Sequence, residues 1–221
     1  MPGLSLDNLI FGLRGEDLKV LLVKHSSGVG VGQWALPGGF LRIDEDLRDG
    51  AERLLYDLTG VKHLFLEQLG AFGKVDRFPK ARVVTIAYYA LVSADDYDLV
   101  AGMNASEALW FDVREVPTLV FDHSRILESG LKSLQQKIRR EPVGFNLLPE
   151  KFTLLQLQEL YEAILELKLD KPNFRRKMMK MNLLKSCNEK QKGVAHRAAN
   201  LYRFDKEAYE QLTKQGFVFE A

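Results

Sequence analysis

Apolar residues open the chain in two runs, 4–13 and 18–24, separated by Arg14-Gly15-Glu16-Asp17. Two strand-like runs around a short polar break containing glycine predict a β-hairpin. Residues 26–32 are glycine-rich and predict a loop. From 45 to 59 the period changes: Leu47, Ala51, Leu54, Leu55 and Leu58 recur at helical spacing and share one face. Gly60 follows as a C-cap, where a left-handed residue closes the last turn. The run RVVTIAYYALV at 82–92 is dense in β-branched and aromatic residues and predicts a buried strand. Residues 107–113 predict another strand. Residues 124–140 predict a helix capped by Ser124, with Ile126, Leu127, Leu131, Leu134 and Ile138 as its apolar stripe.

The segment 141–149 holds two prolines and a glycine and predicts a domain boundary. Beyond it, residues 153–165 predict a helix with Thr153 as N-cap and Leu154, Leu157, Leu160, Tyr161 and Ile164 on its buried side. A short link, 166–169, leads to Asp170. Asp170 caps a second helix over 171–181, in which Pro172 is tolerated because first-turn amides have no helical partner. Two helices joined by a short turn predict a helix-turn-helix. Strand-like residues 183–187 and 198–204 flank the polar stretch 188–197 and predict a β-wing. On the second helix, Phe174, Met178 and Met181 fall on one face, and Asn173, Arg176, Lys177 and Lys180 on the other. A recognition helix needs that division. Arg and Asn can read guanine and adenine bidentately, while lysines chiefly meet phosphates. Arg176 and Asn173 are the expected base readers, with Lys177 and Lys180 on the backbone. Arg175 and Lys171 flank them as phosphate contacts, and the wing offers Lys190, Lys192, His196 and Arg197, with Gly193 at its tip.

Charge sharpens this division. Net charge is +1, but residues 151–221 carry 14 Lys and Arg against 9 Asp and Glu, whereas residues 1–150 carry 17 against 21. Within 171–203 ten basic residues face the single acid Glu189. A surface kept for solubility mixes both signs, so this block points to nucleic acid. Cys187 is the only cysteine, which excludes an intrachain disulfide and a cysteine-based zinc site. The four histidines are scattered without ligand spacing, so neither a metal nor another cofactor is expected. The longest apolar run, near 83–92, is about ten residues and too short for a bilayer. No signal-peptide pattern opens the chain. The expectation is a cytoplasmic protein with no membrane partner.

Residues 39–61 read GFLRIDEDLRDGAERLLYDLTGV. This segment resembles the Nudix box, G-x5-E-x7-R-E-U-x-E-E-x-G-U, with U a bulky aliphatic. Gly39, Glu45, Arg53, Leu55, Gly60 and Val61 fall in register, but the three glutamates after the arginine are replaced by Leu54, Asp57 and Leu58. In Nudix enzymes those carboxylates hold the divalent cations, and Mg²⁺ demands several hard oxygen ligands in near-octahedral geometry. The frame is kept and the cage is lost, so binding rather than cutting is expected, with no catalytic residues. A shifted ligand set using Asp49 and Glu52 is conceivable, but both lie on the exposed side of the helix.

A Nudix-like segment followed by a winged helix resembles the Nudix-related transcriptional regulators. The resemblance covers nearly the whole chain and is strongest at GQWALPGGF (32–40), RVVTIAYYAL (82–91) and the junction running from GFNLLPEKFTLLQLQELYEAI to DKPNFRRKM (144–178). It implies an α/β/α Nudix-like sandwich with a mixed sheet over 1–143 and a winged helix-turn-helix over 144–221. It also implies a ligand-sensing first domain and a homodimer on a palindromic double-stranded DNA operator. One branch of the family responds to ADP-ribose-type ligands and another to the sugar arabinose; the wording here is closer to the sugar branch. The effector is expected in the old substrate cleft, at Trp34, Phe40, Glu45, Arg53 and Asp57, with Phe72, Asp76 and Arg77 from GAFGKVDRFP. Aromatic platforms with carboxylate and guanidinium partners suit sugar hydroxyls. A Nudix hydrolase acting on a nucleoside-diphosphate-linked substrate and a protein-binding adaptor remain the competing readings.

Overall fold

A computed structural model describes residues 2–193 and 198–219. The chain divides into two compact units, 1–133 and 134–221, with the helix His123–Arg140 lying across the division. Among the described residues no helix is long and apolar enough to cross a membrane.

The first unit is built on a seven-stranded mixed sheet. The hairpin expected at the start is present: β1 (Gly3–Arg14) and β2 (Asp17–His25) pair antiparallel with Arg14 opposite Asp17. β3 (Trp34–Ala35) joins β2, and β4 (Gly38–Phe40) joins β1. α1 (Leu47–Thr59) follows, then β5 (Glu67–Phe72), β6 (Val83–Ser93) and β7 (Ala105–Asp112). The β1–β6 pairing is the parallel one, and the others are antiparallel. β1 alternates its side chains between two helices, as the period of two in a strand requires. Leu6 and Ile10 pack with Ala51, Leu54 and Leu55 of α1, and Asn8 Nδ2 donates to the Ala51 carbonyl at 3.0 Å. On the opposite face Leu9 meets the backbone at Gly130 of α2 (His123–Arg140). α2 starts one residue before Ser124, so Ser124 lies inside the helix rather than capping it. The strands β3, β4 and β5 carried no sequence signal of their own; the first two are only 2 and 3 residues long.

α1 ends as expected, with Gly60 left-handed at φ 74° and its amide bonded to the Tyr56 carbonyl. The loop before α1 is braced by Glu45. Arg53 Nε donates to Glu45 Oε2 at 2.8 Å, and Arg53 Nη2 and the Arg42 amide both donate to Oε1. The Arg53 hydrogen bond is the main cause holding the Glu45 carboxyl down at about 2.

In the second unit α3 (Leu154–Leu165) carries a complete capping box, with Thr153 and Gln156 each accepting the other's amide. Asp170 caps α4 (Lys171–Lys180) by accepting from the Asn173 amide at 3.0 Å. Phe174 and Met178 are buried with Leu157, Tyr161 and Ile164, and the Tyr161 and Phe174 rings lie 5.4 Å apart. β8 (Leu184–Lys190) and β9 (Asn200–Phe204) form the wing. Phe152 adds a further bridge to Tyr202 through both of its backbone groups. A terminal helix, α5 (Lys206–Lys214), was not expected from the sequence; its short apolar stripe, Ala208, Tyr209 and Leu212, is only half-buried.

A Cβ at Gly38 would stand 2.5 Å from the Leu6 carbonyl and closer still to Asp7 Oδ1. Backbone on that side cannot yield cheaply, so Gly38→Ala is expected to destabilise the first unit by about 1–3 kcal/mol, read as a lower denaturant midpoint at unchanged slope. A carboxylate whose pKa falls on folding adds stability above its unfolded pKa and loses it as the pH drops toward the folded value. Glu45→Gln is therefore expected to be less stable than wild type at neutral pH, with the gap closing as the pH falls from 4.5 to about 2. Denaturant titrations across that window decide it, and a pH-independent gap would refute the brace.

Candidate functional site

The first unit encloses a cavity of about 560 Å³. α1 supplies one side with Arg53, Leu54, Asp57 and Leu58. A row of aromatic rings supplies another: Phe40 lies 6.2 Å from Phe78, Phe78 lies 5.1 Å from Phe121, and Phe121 lies 5.6 Å from His123. Phe121 holds a left-handed backbone at φ 53°, a conformation that costs a bulky residue energy and marks a position fixed by its surroundings. Two loops also reach the cavity, 25–29 and 103–104. They are tied together by Ser27 Oγ donating to Asn104 Oδ1 at 2.9 Å and the Ser26 amide donating to the Asn104 carbonyl at 2.8 Å.

The remaining wall is polar and buried. Asp7, Arg77 and His123 all line the cavity at 4–6% exposure. Arg77 Nη2 reaches Asp7 Oδ2 at 3.2 Å, and Arg77 Nε lies 3.0 and 3.1 Å from the two Asp122 oxygens. The Leu36 amide donates to His123 Nδ1 at 3.0 Å. Burial pushes the His123 pKa down, which favours the neutral imidazole, and the Leu36 amide on Nδ1 leaves the proton to Nε2.

Of the expected effector contacts, Phe40, Arg53, Asp57 and Arg77 line this cavity. Glu45 stands behind Arg53 as its brace. Trp34 is outside the lining: its ring sits edge-on to Phe111 at 4.7 Å with Lys24 over it. Phe72 lies in β5 opposite Thr85, and Asp76 is exposed beside Lys74. Asp7, His123, Phe78 and Phe121 were not anticipated. Signals did exist, because Asp7 interrupts an apolar strand and Phe121-Asp122-His123 concentrates polar groups at a helix start.

The Nudix pattern implies divalent cations, and the residues present do not fit them. Leu54 and Leu58 turn apolar side chains to the cavity where carboxylates would stand. Asp57 is paired with Arg53 at 3.6 Å and Glu45 is fully engaged. Glu52 is spent on Arg48 at the surface, 3.0 Å away. Among the described residues no group of three or more His, Cys, Asp or Glu side chains could hold a metal ion.

In the second unit α4 exposes Lys171, Asn173, Arg176, Lys177 and Lys180 while Phe174 and Met178 face inward. Arg176 Nη2 donates to Asn173 Oδ1, so the two expected base readers are already side by side. Arg175 is half-buried, and its Nε has no protein partner. It shares a hollow of about 280 Å³ with Lys190 and the first residues of α3. Lys192 is exposed, and His196 and Arg197 lie outside the described residues.

Comparison with known proteins agrees with this layout. Residues 6–129 match the NUDIX domain model, and residues 144–204 match the NrtR DNA-binding winged helix domain. The ADPR responsive transcriptional repressor NtrR of Acinetobacter baylyi is 32% identical over 213 residues, covering 95% of this chain and 84% of that protein. The crystal structure of Shewanella oneidensis NrtR complexed with a 27mer DNA superposes with a TM-score of 0.74 at 31% identity, covering 94% of this chain and 95% of that one. The Nudix domain of the same protein complexed with ADP ribose gives a TM-score of 0.58 at 32% identity, covering 61% of this chain and 89% of that one. The chain belongs to the NrtR-type family of Nudix-related transcriptional regulators, with a Nudix effector domain followed by a winged helix.

Proposed function

We propose that this protein is a DNA-binding repressor whose Nudix unit has become a receptor for an ADP-ribose-type ligand, and that the ligand loosens its hold on an operator. The observation that carries this reading is the cavity wall at Leu54 and Leu58: the ligand space is kept and the cation cage is not. A volume of about 560 Å³ suits a nucleotide-sized ligand, since drug-sized ligands occupy pockets of roughly 300–1,000 Å³. A lone pentose, which the sequence wording favoured, would leave most of that space to water. The aromatic row offers faces for a base, and the relatives named for ADP-ribose support the same choice. The operator is proposed to be an inverted repeat read by a homodimer, one α4 to each half-site.

Linkage sets the terms. A ligand releases DNA only by binding the DNA-incompetent state more tightly, and DNA must weaken the ligand by the same factor.

Selection from random duplex DNA at near-physiological salt is expected to recover an inverted repeat, which serves as the probe for the rest. ADP-ribose is expected to weaken operator binding about 10- to 100-fold, with free arabinose and ribose far less effective. Release by a free pentose alone would move the effector to the sugar branch. Incubation of ADP-ribose with Mg²⁺ is expected to yield no AMP. Turnover that disappears in Glu45→Gln would restore the hydrolase reading. Arg176→Ala is expected to relax base preference at one position of each half-site at about 1–3 kcal/mol, whereas Lys180→Ala weakens all sequences alike and lowers the salt slope by about 1. Selected-site binding unchanged in both variants would overturn the assignment of α4.

A further inference from the structure

The buried polar wall of the cavity holds a donor and an acceptor that do not satisfy each other. His123 Nε2, which carries the proton, lies 3.6 Å from Asp7 Oδ1, beyond hydrogen-bond reach. Arg77 Nη2 donates to the other carboxylate oxygen, Oδ2, at 3.2 Å. Both side chains are more than nine-tenths buried and both line the cavity. Two carboxylates, Asp7 and Asp122, share one guanidinium, Arg77, beside the imidazole of His123. An acceptor and an N–H set side by side suit a neutral group that can both donate and accept. A hydroxyl is the group that donates to a carboxylate and accepts from an imidazole N–H in one position.

We infer that Asp7 and His123 recognise a sugar hydroxyl of the effector, Oδ1 of Asp7 accepting from it and Nε2 of His123 donating to it. Arg77 acts as a positioning residue: it fixes Asp7 and ties the loop before β6 to Asp122 at the start of α2. The inference rests on the reading of this cavity as the effector site. The hydroxyl has two sources, the terminal ribose of ADP-ribose or a free pentose, and the recognition chemistry is the same for both.

The test is calorimetric titration of the full chain with ADP-ribose, with ADP (the same molecule without the terminal ribose), and with ribose and arabinose. Wild type is expected to bind ADP-ribose at least tenfold more tightly than ADP. Asp7→Asn, which keeps the volume and loses the anionic acceptor, is expected to weaken ADP-ribose about 10- to 100-fold and to leave ADP within about threefold. His123→Asn keeps an acceptor for the Leu36 amide and removes the Nε2 donor, so it carries the test should Asp7→Asn fail to fold. Equal weakening of ADP-ribose and ADP, or no change in a folded variant, overturns the inference. Should neither variant fold, wild type decides, and equal affinity for ADP-ribose and ADP overturns it. Binding of a pentose but not of ADP-ribose, abolished by Asp7→Asn, supports the hydroxyl site while overturning the ADP-ribose reading. A wild type that binds none of the four overturns both.

Discussion

A carboxylate buried at 4% exposure in the central strand sets the terms for much of the first unit. A carboxylate left there without a partner would cost several kcal/mol. Arg77 supplies the charge from the loop between β5 and β6, and its guanidinium in turn needs Asp122, the residue just before α2. One buried charge thereby draws together the middle of the sheet, a long loop and a helix start. The Leu36 amide fixes the tautomer of the neighbouring His123. Gly38 completes the arrangement from β4, where any side chain would collide with Asp7 and the Leu6 carbonyl. A network of this kind stabilises weakly compared with an apolar core, yet breaking one member leaves another charge exposed to a low dielectric. Its benefit is a rigid polar surface next to a ligand-sized space.

What could be read from the sequence was the local chemistry. The caps at Thr153 and Asp170, the left-handed Gly60 and the two faces of α4 each depend on residues within a few positions of one another. The same holds for the Glu45–Arg53 frame, whose partners lie eight positions apart. The cavity wall depends on residues 45 to 87 positions apart, joined only once the sheet order is known. Asp7 therefore read as an interruption in a strand and His123 as one of four scattered histidines. Trp34 illustrates the opposite failure. It sits in a glycine-flanked segment that carries the family resemblance, and its ring is used by Phe111 on β7. Helix α5 was missed because its apolar stripe is short, three residues that are only half-buried.

The Nudix helix keeps the frame of its motif while two of its acidic positions are leucines, Leu54 and Leu58. α1 still presents the positions that would hold cations, and the Glu45–Arg53 pair still holds the preceding loop on the helix. Replacing carboxylates by Leu54 and Leu58 removes like-charge repulsion from that wall and extends the apolar contacts under the sheet. An enzyme must hold the transition state more tightly than the substrate. A receptor has no such obligation, and its site can be tuned for the ground state of its ligand.

A receptor that controls DNA binding carries a different obligation, because a ligand with equal affinity for both states shifts nothing. The residues that read the ligand must belong to elements whose arrangement differs between those states. The aromatic row ends on Phe121, and the polar wall ends on Asp122 and His123, consecutive residues at the entrance to α2. That helix is counted with the effector unit as far as Ser133 and with the DNA-binding unit from Leu134 onward. The cavity is therefore lined, at its most constrained point, by the element through which the chain passes from one unit to the other.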